Sequence, residues 1–405
     1  MEYNIHTLSN GLRLIHKPDN MAVTYCGMVI NAGSRDESAD EQGMAHFVEH
    51  LLFKGTNKRR PGHIINRLEN VGGELNAFTS KEETVVYATV LNEHLEKAMD
   101  LIGDIVFHST FPQKEIDKEK VIIIDEIQSY NDSPSELIYD DFEDIVFDSP
   151  IGHNILGKPE LIENFKSEDT KRFVDRFYLP GEMVFFVLGK INDGKLIRWA
   201  EKYLVNGTYR VRTQSRVSPE SYLIEHKSIK KDTFQTHFMI GNRCYNIHHP
   251  DRIGMFLLNN ILGGPGMNSL LNLSLREKNG LVYNVDSVFQ PFTDTGIWSV
   301  YFGCDENNFK KCDKLVRQVL RKLRDEKISE NQLKKYKLQM MGQMAISMEQ
   351  KENHAIGLGK SLLRYGKVDS LDIVKEHIMS VTSEKLQEIA SMVFDEEKLS
   401  TLKYY

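Results

Sequence analysis

The stretch "GMAHFVEHLLFKGT", residues 43–56, places two histidines and a glutamate in an otherwise apolar run. The sequence predicts a helix over residues 39–54. At about 100° per residue, His46, Glu49 and His50 fall within an arc of roughly 100° on such a helix. A helix that is apolar nearly all round is normally buried. Its buried polar groups therefore need a partner that compensates for the water they lose.

The ends of this helix are predicted from its flanking residues. Ser38 and Glu41 have the Ser-x-x-Glu spacing of a capping box, which makes Ser38 the expected N-cap. Gly55 follows Lys54 and suits a C-terminal cap. These signals set the predicted bounds.

A divalent metal ion would satisfy the polar cluster on this helix. Histidines four residues apart bring two imidazole nitrogens to one helix face, which is the helical arrangement for zinc. Zinc accepts neutral imidazole together with oxygen ligands. Glu49 projects beside the two histidines, where it can take a proton from a metal-bound water in a hydrolysis. The alternative is a pair of core histidines bonded to backbone carbonyl groups.

A catalytic zinc site needs a third protein ligand. The predicted helix over residues 112–130 offers five acidic side chains: Glu115, Asp117, Glu119, Asp125 and Glu126. Glu119 and Glu126 share a face, but they lie about 10.5 Å apart along the axis, so only one can bind the ion. The other is then a supporting or substrate-facing carboxylate. Spacing alone leaves the choice open.

Length and an internal repeat indicate two domains. The chain has 405 residues, which is too long for one ordinary core. Residues 206–221 are polar and lack apolar periodicity, so they are predicted to link a domain over 1–205 to a domain over 222–405. The order of predicted strands and helices repeats in the second half, without the histidine pair. This pattern indicates duplication of one strand-and-helix unit.

Charge and hydropathy exclude some classes of partner. The net charge of −7 argues against nucleic acid, which rewards a basic surface. No run approaches 18 apolar residues, so no membrane span is expected. The N-terminal residues lack the pattern of a secretory leader. We therefore expect a cytoplasmic protein; the alternative is a periplasmic or exported chain that has lost a leader.

The order His-x-x-Glu-His is the signature of inverzincin metallopeptidases. With its flanking residues, it resembles the pitrilysin, insulysin and mitochondrial processing peptidase family, and the resemblance extends over nearly the whole chain. The resemblance implies an α+β fold of two homologous domains, each a mostly antiparallel sheet packed with helices. It also implies one zinc ion per chain and an endopeptidase that hydrolyses peptides or unfolded polypeptide segments.

The resemblance assigns roles to the residues of the first half. The zinc ligands are His46, His50 and a glutamate in a "DEIQSYND"-like segment 76 residues beyond the second histidine, which is Glu126. Glu119 matches the family's other important glutamate on that helix. Glu49 activates the water that attacks the scissile carbonyl, and later passes a proton to the leaving amine.

The resemblance also implies substrate contacts from both halves. The segment "GGELNAFTSKEETVVYATV" resembles the family's active-site edge strand, which binds a peptide partly by strand addition. The residues expected to touch the peptide there are Asn76, Ala77 and Phe78. In the second half, "LREKNGLVYNV" matches an Arg and Tyr segment, so Arg276 and Tyr283 are expected to bind substrate carbonyls or to steady the oxyanion. Leu270 departs from an arginine that many relatives carry.

The resemblance further implies an assembly. Relatives of this length pair with a second chain, and this chain carries both the metal cluster and the Arg/Tyr pair, so a homodimer is expected. A homologous but different partner chain is the first alternative. A binding or scaffold protein on the same fold is the second. The expected partners are thus a peptide substrate and another polypeptide chain, without nucleic acid or membrane.

Overall fold

The protein is described here by a computed structural model that covers residues 3–213, 215–219 and 222–405. Two compact units interleave along the chain, whereas the sequence predicts contiguous domains. The first unit is drawn from Met1–Gln128, His153–Arg216 and Ile346–Val368. The second is drawn from Ser129–Gly152, Val217–Ala345 and Asp369–Tyr405. Positions 214, 220 and 221 of the predicted linker lie outside the described residues.

Each unit is built on one sheet. In the first unit the strands are β1 (Asn4–Thr7), β2 (Arg13–Pro18), β3 (Val23–Ile30), β4 (Glu74–Thr79), β5 (Thr84–Leu91) and β6 (Met183–Gly189). Their order across the sheet is β1-β2-β6-β3-β5-β4. In the second unit the strands are β7 (His226–Ile229), β8 (Thr236–Arg243), β9 (Val282–Pro291), β10 (Gly296–Cys304) and β11 (Ser400–Tyr404). Their order is β7-β11-β8-β10-β9.

The two sheets have the same topology once β1 is set aside. β2 and β6 run parallel in the first sheet, as β7 and β11 do in the second. Every other pair in both sheets is antiparallel. The predicted α+β fold with a mostly antiparallel sheet in each half is therefore confirmed, and the shared topology supports duplication of one unit.

Fourteen α-helices occur within the described residues. The first half contributes α1 (Met44–Leu51), α2 (Pro61–Glu69), α3 (Leu95–His108), α4 (Gln113–Asn131), α5 (Pro134–Phe147), α6 (Pro159–Ile162), α7 (Ser167–Phe177) and α8 (Asp193–Tyr203). The second contributes α9 (Arg252–Gly263), α10 (Phe309–Asp325), α11 (Glu330–Met348), α12 (Lys351–Tyr365), α13 (Leu371–Ser380) and α14 (Ser383–Val393). None of these described helices combines the length and apolar character that a membrane crossing requires.

The first sheet is covered on both faces. On one face, which we call the α1 face, Met28, Val86 and Phe185 pack with α1 and α3 in a large apolar core. On the other, the α12 face, six apolar side chains pack against α12. They are Ile15, Val29, Val85, Val184, Phe186 and Leu188.

α12 comes from the second half of the sequence but packs in the first unit. α5 is its counterpart: it comes from the first half but packs on β8 and β11 in the second unit. Each is the third helix after the corresponding hairpin, β4–β5 or β9–β10. Each unit therefore contains one helix whose sequence lies in the other half of the chain, and the two helices are equivalent in the repeat. The contiguous domain boundaries predicted from the sequence do not contain this arrangement.

The beginning of the predicted linker is packed into the first unit. Arg216 donates to both carboxylate oxygens of Asp36, at 2.9 and 2.8 Å, and to the carbonyl oxygen of Glu82 at 2.8 Å. Arg212 forms a second ion pair with Asp36. The Asp36 side chain is almost fully buried, and a buried carboxylate requires such partners. Arg212 and Arg216 of this polar segment thus serve to pair a buried charge.

Two glycines of α12 give a test of how this helix packs. A Cβ atom at Gly359 would meet Val29 Cγ2 at 2.7 Å and the Phe186 ring at 2.8 Å, whereas a Cβ at Gly357 would meet nothing within 4 Å. We expect Gly359→Ala to destabilise the chain by about 1–3 kcal/mol through overpacking. Gly357→Ala should stabilise it by up to about 1 kcal/mol because alanine favours helix. Thermal unfolding of both variants measures this, and shifts of the same sign would contradict the packing.

Candidate metal centre

α1 begins later than the sequence predicts. Ser38 and Glu41 do bond, with Ser38 Oγ to Glu41 Oε2 at 2.7 Å, but this pair lies in a turn before the helix. The buried carboxylate of Glu37 instead accepts from the backbone N–H groups of Gly43 and Ala45, at 2.9 and 2.7 Å. Gly43 has a φ of 95°, which ends the preceding segment. The predicted helix over 39–54 was therefore too long.

The short helix still carries the three polar residues on one side. The His46 and His50 rings lie 4.6 Å apart between centroids. Glu126, on α4, places its Oε1 3.9 Å from His46 Nε2 and its Oε2 3.7 Å from His50 Nε2. One ligand atom from each of these three residues lies within 4.8 Å of the others. The structure thus brings together two imidazoles on one helix and a carboxylate 76 positions away.

This donor set fits a zinc ion. A tetrahedral zinc with bonds of about 2.1 Å separates its ligand atoms by roughly 3.4 Å, which is close to the nitrogen–oxygen separations here. Two imidazoles and a carboxylate also leave one tetrahedral position for water, as catalytic zinc sites do. Among the described residues, this is the only group of three or more potential ligands that converges in this way.

Glu119 contacts the Nδ1 atom of His50, whereas the Nε2 atom of the same ring faces Glu126. Its Oε2 lies 3.1 Å from His50 Nδ1, and its Oε1 accepts from Lys54 Nζ at 2.6 Å. Its side chain is 3% exposed, whereas that of Glu126 is 43% exposed. Of the two predicted roles for Glu119, the supporting one fits this burial. A carboxylate on the second ring nitrogen directs the other nitrogen to the metal.

The surroundings shift the pKa values of the histidines in opposite directions. Burial, together with the nearby His50, lowers the pKa of His46 to about 3, so this imidazole is neutral near pH 7. Burial also lowers the pKa of His50, but the hydrogen bond to Glu119 and the charges of Glu49 and Glu126 outweigh it, so the net shift is upward. The hydrogen bonds from His50 and Lys54 hold the pKa of Glu119 below its usual value despite its burial.

Glu49 stands beside the converging ligand atoms but points to a different partner. Its Oε2 accepts a hydrogen bond of 2.6 Å from the hydroxyl of Thr79, at the end of β4. Burial raises the pKa of Glu49, and the Thr79 hydrogen bond offsets part of that rise. A carboxylate held next to a metal cluster, and outside it, suits proton transfer.

The predicted substrate residues divide between the two faces of the first sheet. Ala77 packs with the core on the α1 face. Phe78 packs on the α12 face, against Tyr87 with ring centroids 6.2 Å apart and below Lys360 Nζ at 4.9 Å. β4 is the last strand of its sheet, so its backbone edge is open to pairing within the described residues. Contacts of Asn76, Ala77 and Phe78 with a peptide stay a prediction.

Arg276 and Tyr283 lie together in the second unit. Arg276 is on a π-helical segment, Asn272–Glu277, and its guanidinium is 5.8 Å from the centroid of the Tyr283 ring. Tyr283, on β9, is 83% exposed. The structure thus pairs the two residues and leaves the tyrosine accessible. Their action on a substrate stays a prediction, and nothing in the structure explains the departure at Leu270, which packs at the edge of the second core.

Sequence reasoning missed Lys54 and Thr79. Lys54 follows His50 by four residues, so the predicted helix over 39–54 would have placed it on the same side, although α1 itself ends at Leu51. Thr79 lies on a strand, where alternation indicates a face but not which helical residue lies opposite. Its bond to Glu49 depends on tertiary structure alone.

Solved structures share this fold along the whole chain. The crystal structure of a peptidase M16 inactive domain from Pseudomonas fluorescens superposes with a TM-score of 0.92 at 18% identity, covering 100% of this chain and 98% of that one. A protease from Helicobacter pylori gives a TM-score of 0.91 at 22% identity, with coverages of 100% and 99%. At these identities the likeness establishes the fold.

Sequence comparisons establish the family. A Bacillus subtilis (strain 168) protein named an uncharacterized zinc protease is 32% identical over 396 residues, which cover 97% of this chain and 96% of that protein. One of Mycobacterium leprae with the same description is 31% identical, with coverages of 96% and 88%. Residues 13–158 match the insulinase model of peptidase family M16, and residues 164–340 match the model named peptidase M16 inactive domain. The chain therefore belongs to the insulinase family of peptidases, M16.

Proposed function

We propose that this chain is a zinc-dependent endopeptidase that hydrolyses peptides or unfolded polypeptide segments. The observation that carries the proposal is the convergence of His46, His50 and Glu126, with ligand atoms within 4.8 Å of one another and Glu49 alongside. Family membership and relatives named zinc proteases support the same chemistry.

In this proposal each polar residue has a separate role. The three converging residues hold one zinc ion, which supplies a Lewis acid that lowers the pKa of a bound water. Glu49 accepts a proton from the attacking water and passes it to the leaving amine. Glu119 keeps the His50 ring oriented through its Nδ1. Arg276 and Tyr283 bind the substrate carbonyl or the oxyanion.

Removal of the metal tests the proposal directly. The purified chain should contain about one zinc per polypeptide and should cleave a quenched, unstructured peptide. Dialysis against a chelator should abolish cleavage, because the Lewis acid that would activate the water would be lost with the ion. Stoichiometric zinc should restore it. Full cleavage by a metal-free preparation would contradict the proposed zinc dependence.

The molar mass in solution and the cleavage assay together separate the proposal from its alternatives. We propose a homodimer, so the molar mass in solution should be twice that of the chain. A zinc-loaded chain that cleaves only after a different homologous chain is added would indicate a heteromeric peptidase. A chain that binds unfolded peptides but never cleaves them would indicate a binding or scaffold protein.

A further inference from the structure

The turn that follows β4 is held by an unusual set of buried charges. Ser80 N–H donates to the Glu83 carbonyl oxygen at 2.8 Å and closes the turn. The next three residues, Lys81, Glu82 and Glu83, are each at most 4% exposed. Charged side chains are rarely so buried unless they are paired.

Each of these charges is bound by a different segment of the first unit. Lys81 Nζ donates to the carbonyl oxygen of His153 at 2.6 Å. Glu82 accepts from Arg35 at 2.7 Å. Glu83 pairs with two cations of α12: Lys360, at 3.2 Å, and Arg364. Three separate attachments therefore fix the turn, and with it the last residue of β4.

That last residue is Thr79. Strand alternation places Ala77 and Thr79 on the α1 face, while Phe78 lies on the α12 face. The Thr79 hydroxyl therefore points at α1, where it lies 2.6 Å from Glu49 Oε2. An ionised carboxylate only accepts hydrogen bonds, so the hydroxyl donates. This bond engages Oε2 of the carboxylate.

We propose that Thr79 is a positioning residue for the proton-accepting carboxylate. Its hydroxyl holds Glu49 in one orientation through Oε2, so that the carboxylate stays out of the metal's ligand set and is placed to accept a proton. The inference rests on the proposed function, because it assigns Glu49 the role of base. The proposal assigns a role in proton transfer to Thr79, the last residue of β4.

The first test compares three variants of the full chain. Thr79→Val removes the hydroxyl with little change of shape, and Thr79→Ser keeps it. Thr24→Val is the matched control: Thr24 is a buried threonine of the same sheet whose hydroxyl also donates at 2.6 Å, to Asn92. Each variant is loaded with zinc, and kcat, KM and zinc affinity are measured with a quenched peptide and a chelating competitor.

We expect Thr79→Val to lower kcat by about 100-fold, because a misplaced catalytic group costs a factor of this order. KM and zinc affinity should stay near the wild-type values, since substrate and metal contacts are retained. Thr79→Ser should recover most of kcat, and Thr24→Val should leave it unchanged. A wild-type kcat in Thr79→Val, or an equal loss in Thr79→Ser, would overturn the proposal.

A second measurement does not depend on activity or metal. In the metal-free chain, melting temperatures are compared for Thr79→Val, Glu49→Ala and the double variant, because each single change removes the hydrogen bond. Bonded side chains give non-additive effects, so the double variant should melt about 2–4 °C above the value expected from additive shifts. Additive shifts would refute the contact. If the wild-type chain cleaves no peptide, the proposed function fails while this cycle still decides whether Thr79 holds Glu49.

Discussion

Glu49→Gln should retain its zinc while its turnover falls by about 10²–10⁴-fold, the usual contribution of a general acid–base group. The amide has nearly the shape of the carboxylate and can still accept the Thr79 hydrogen bond through its carbonyl oxygen. It cannot take a proton from water at neutral pH. Metal content should not change, because the converging ligand atoms belong to His46, His50 and Glu126.

Glu126→Gln is the matched control for this prediction. It makes the same chemical change at a residue that we place among the ligands. It should lose both metal and activity, since a neutral amide is a poor substitute for a carboxylate on a catalytic zinc. Elemental analysis and peptide cleavage measure the two properties separately. Loss of zinc from Glu49→Gln would make Glu49 a ligand, and retained turnover would deny it the role of base.

The proposed ligands differ in how far they can be predicted from the sequence. His46 and His50 are predictable because helical periodicity is local and acts within five residues. Glu126 could not be chosen over Glu119 by spacing, since both share one face of α4. In the structure Glu119 is the buried one of the two. Contacts in the folded chain determine which of the two carboxylates is buried, because Lys54 and His50 compensate the charge of Glu119.

The start of α1 illustrates the same limit in a local feature. The Ser38 and Glu41 pair has the spacing of a capping box and does form a hydrogen bond, yet the helix starts at Met44. Glu37 supplies the cap from outside that pattern, through the N–H groups of Gly43 and Ala45. A short-range motif is therefore a weaker guide to a helix start than the buried carboxylate that satisfies its N–H groups.

The repeat was visible in the order of elements, but the exchange of helices was not. Sequence contiguity groups α12 with the strands that precede it, whereas the structure packs it on β2, β3, β5 and β6 of the first unit. The reason is physical: the α12 face of the first sheet is apolar and requires a cover. No signal within residues 1–205 identifies which segment provides it.

This exchange leads to the second large expected effect. A chain limited to residues 3–216 contains every residue that we place in the metal site and all six strands of the first sheet, yet we expect it not to fold. Without α12 the apolar side chains of the α12 face are exposed to water. Burial of each is worth about 1.5–3 kcal/mol. Six of them amount to roughly 9–18 kcal/mol, which is comparable with the whole stability of a domain.

Polar attachments would be lost as well. Glu83, buried in the β4–β5 turn, would lose Lys360 and Arg364. Arg13 would lose the carbonyl oxygen of Leu362, to which it donates at 3.0 Å. Loss of the two cations removes one of the attachments that hold the turn in place. The truncation thus removes a cover for the sheet and the charge partners of the turn that carries Thr79.

The measurement is the soluble yield of residues 3–216, with near-ultraviolet circular dichroism and zinc content of any soluble fraction. The control joins residues 346–368 to the same chain through a flexible linker, which returns α12 to its sheet. Both chains lack the second-unit partners of α5, so the difference between them reports on α12. We expect the truncated chain to aggregate or to lack fixed aromatic packing, and the joined chain to fold and bind zinc. A truncated chain that folded and bound zinc as tightly as the full protein would mean that the α12 face tolerates water. The interleaved packing of the first unit would then have no energetic consequence for the metal centre.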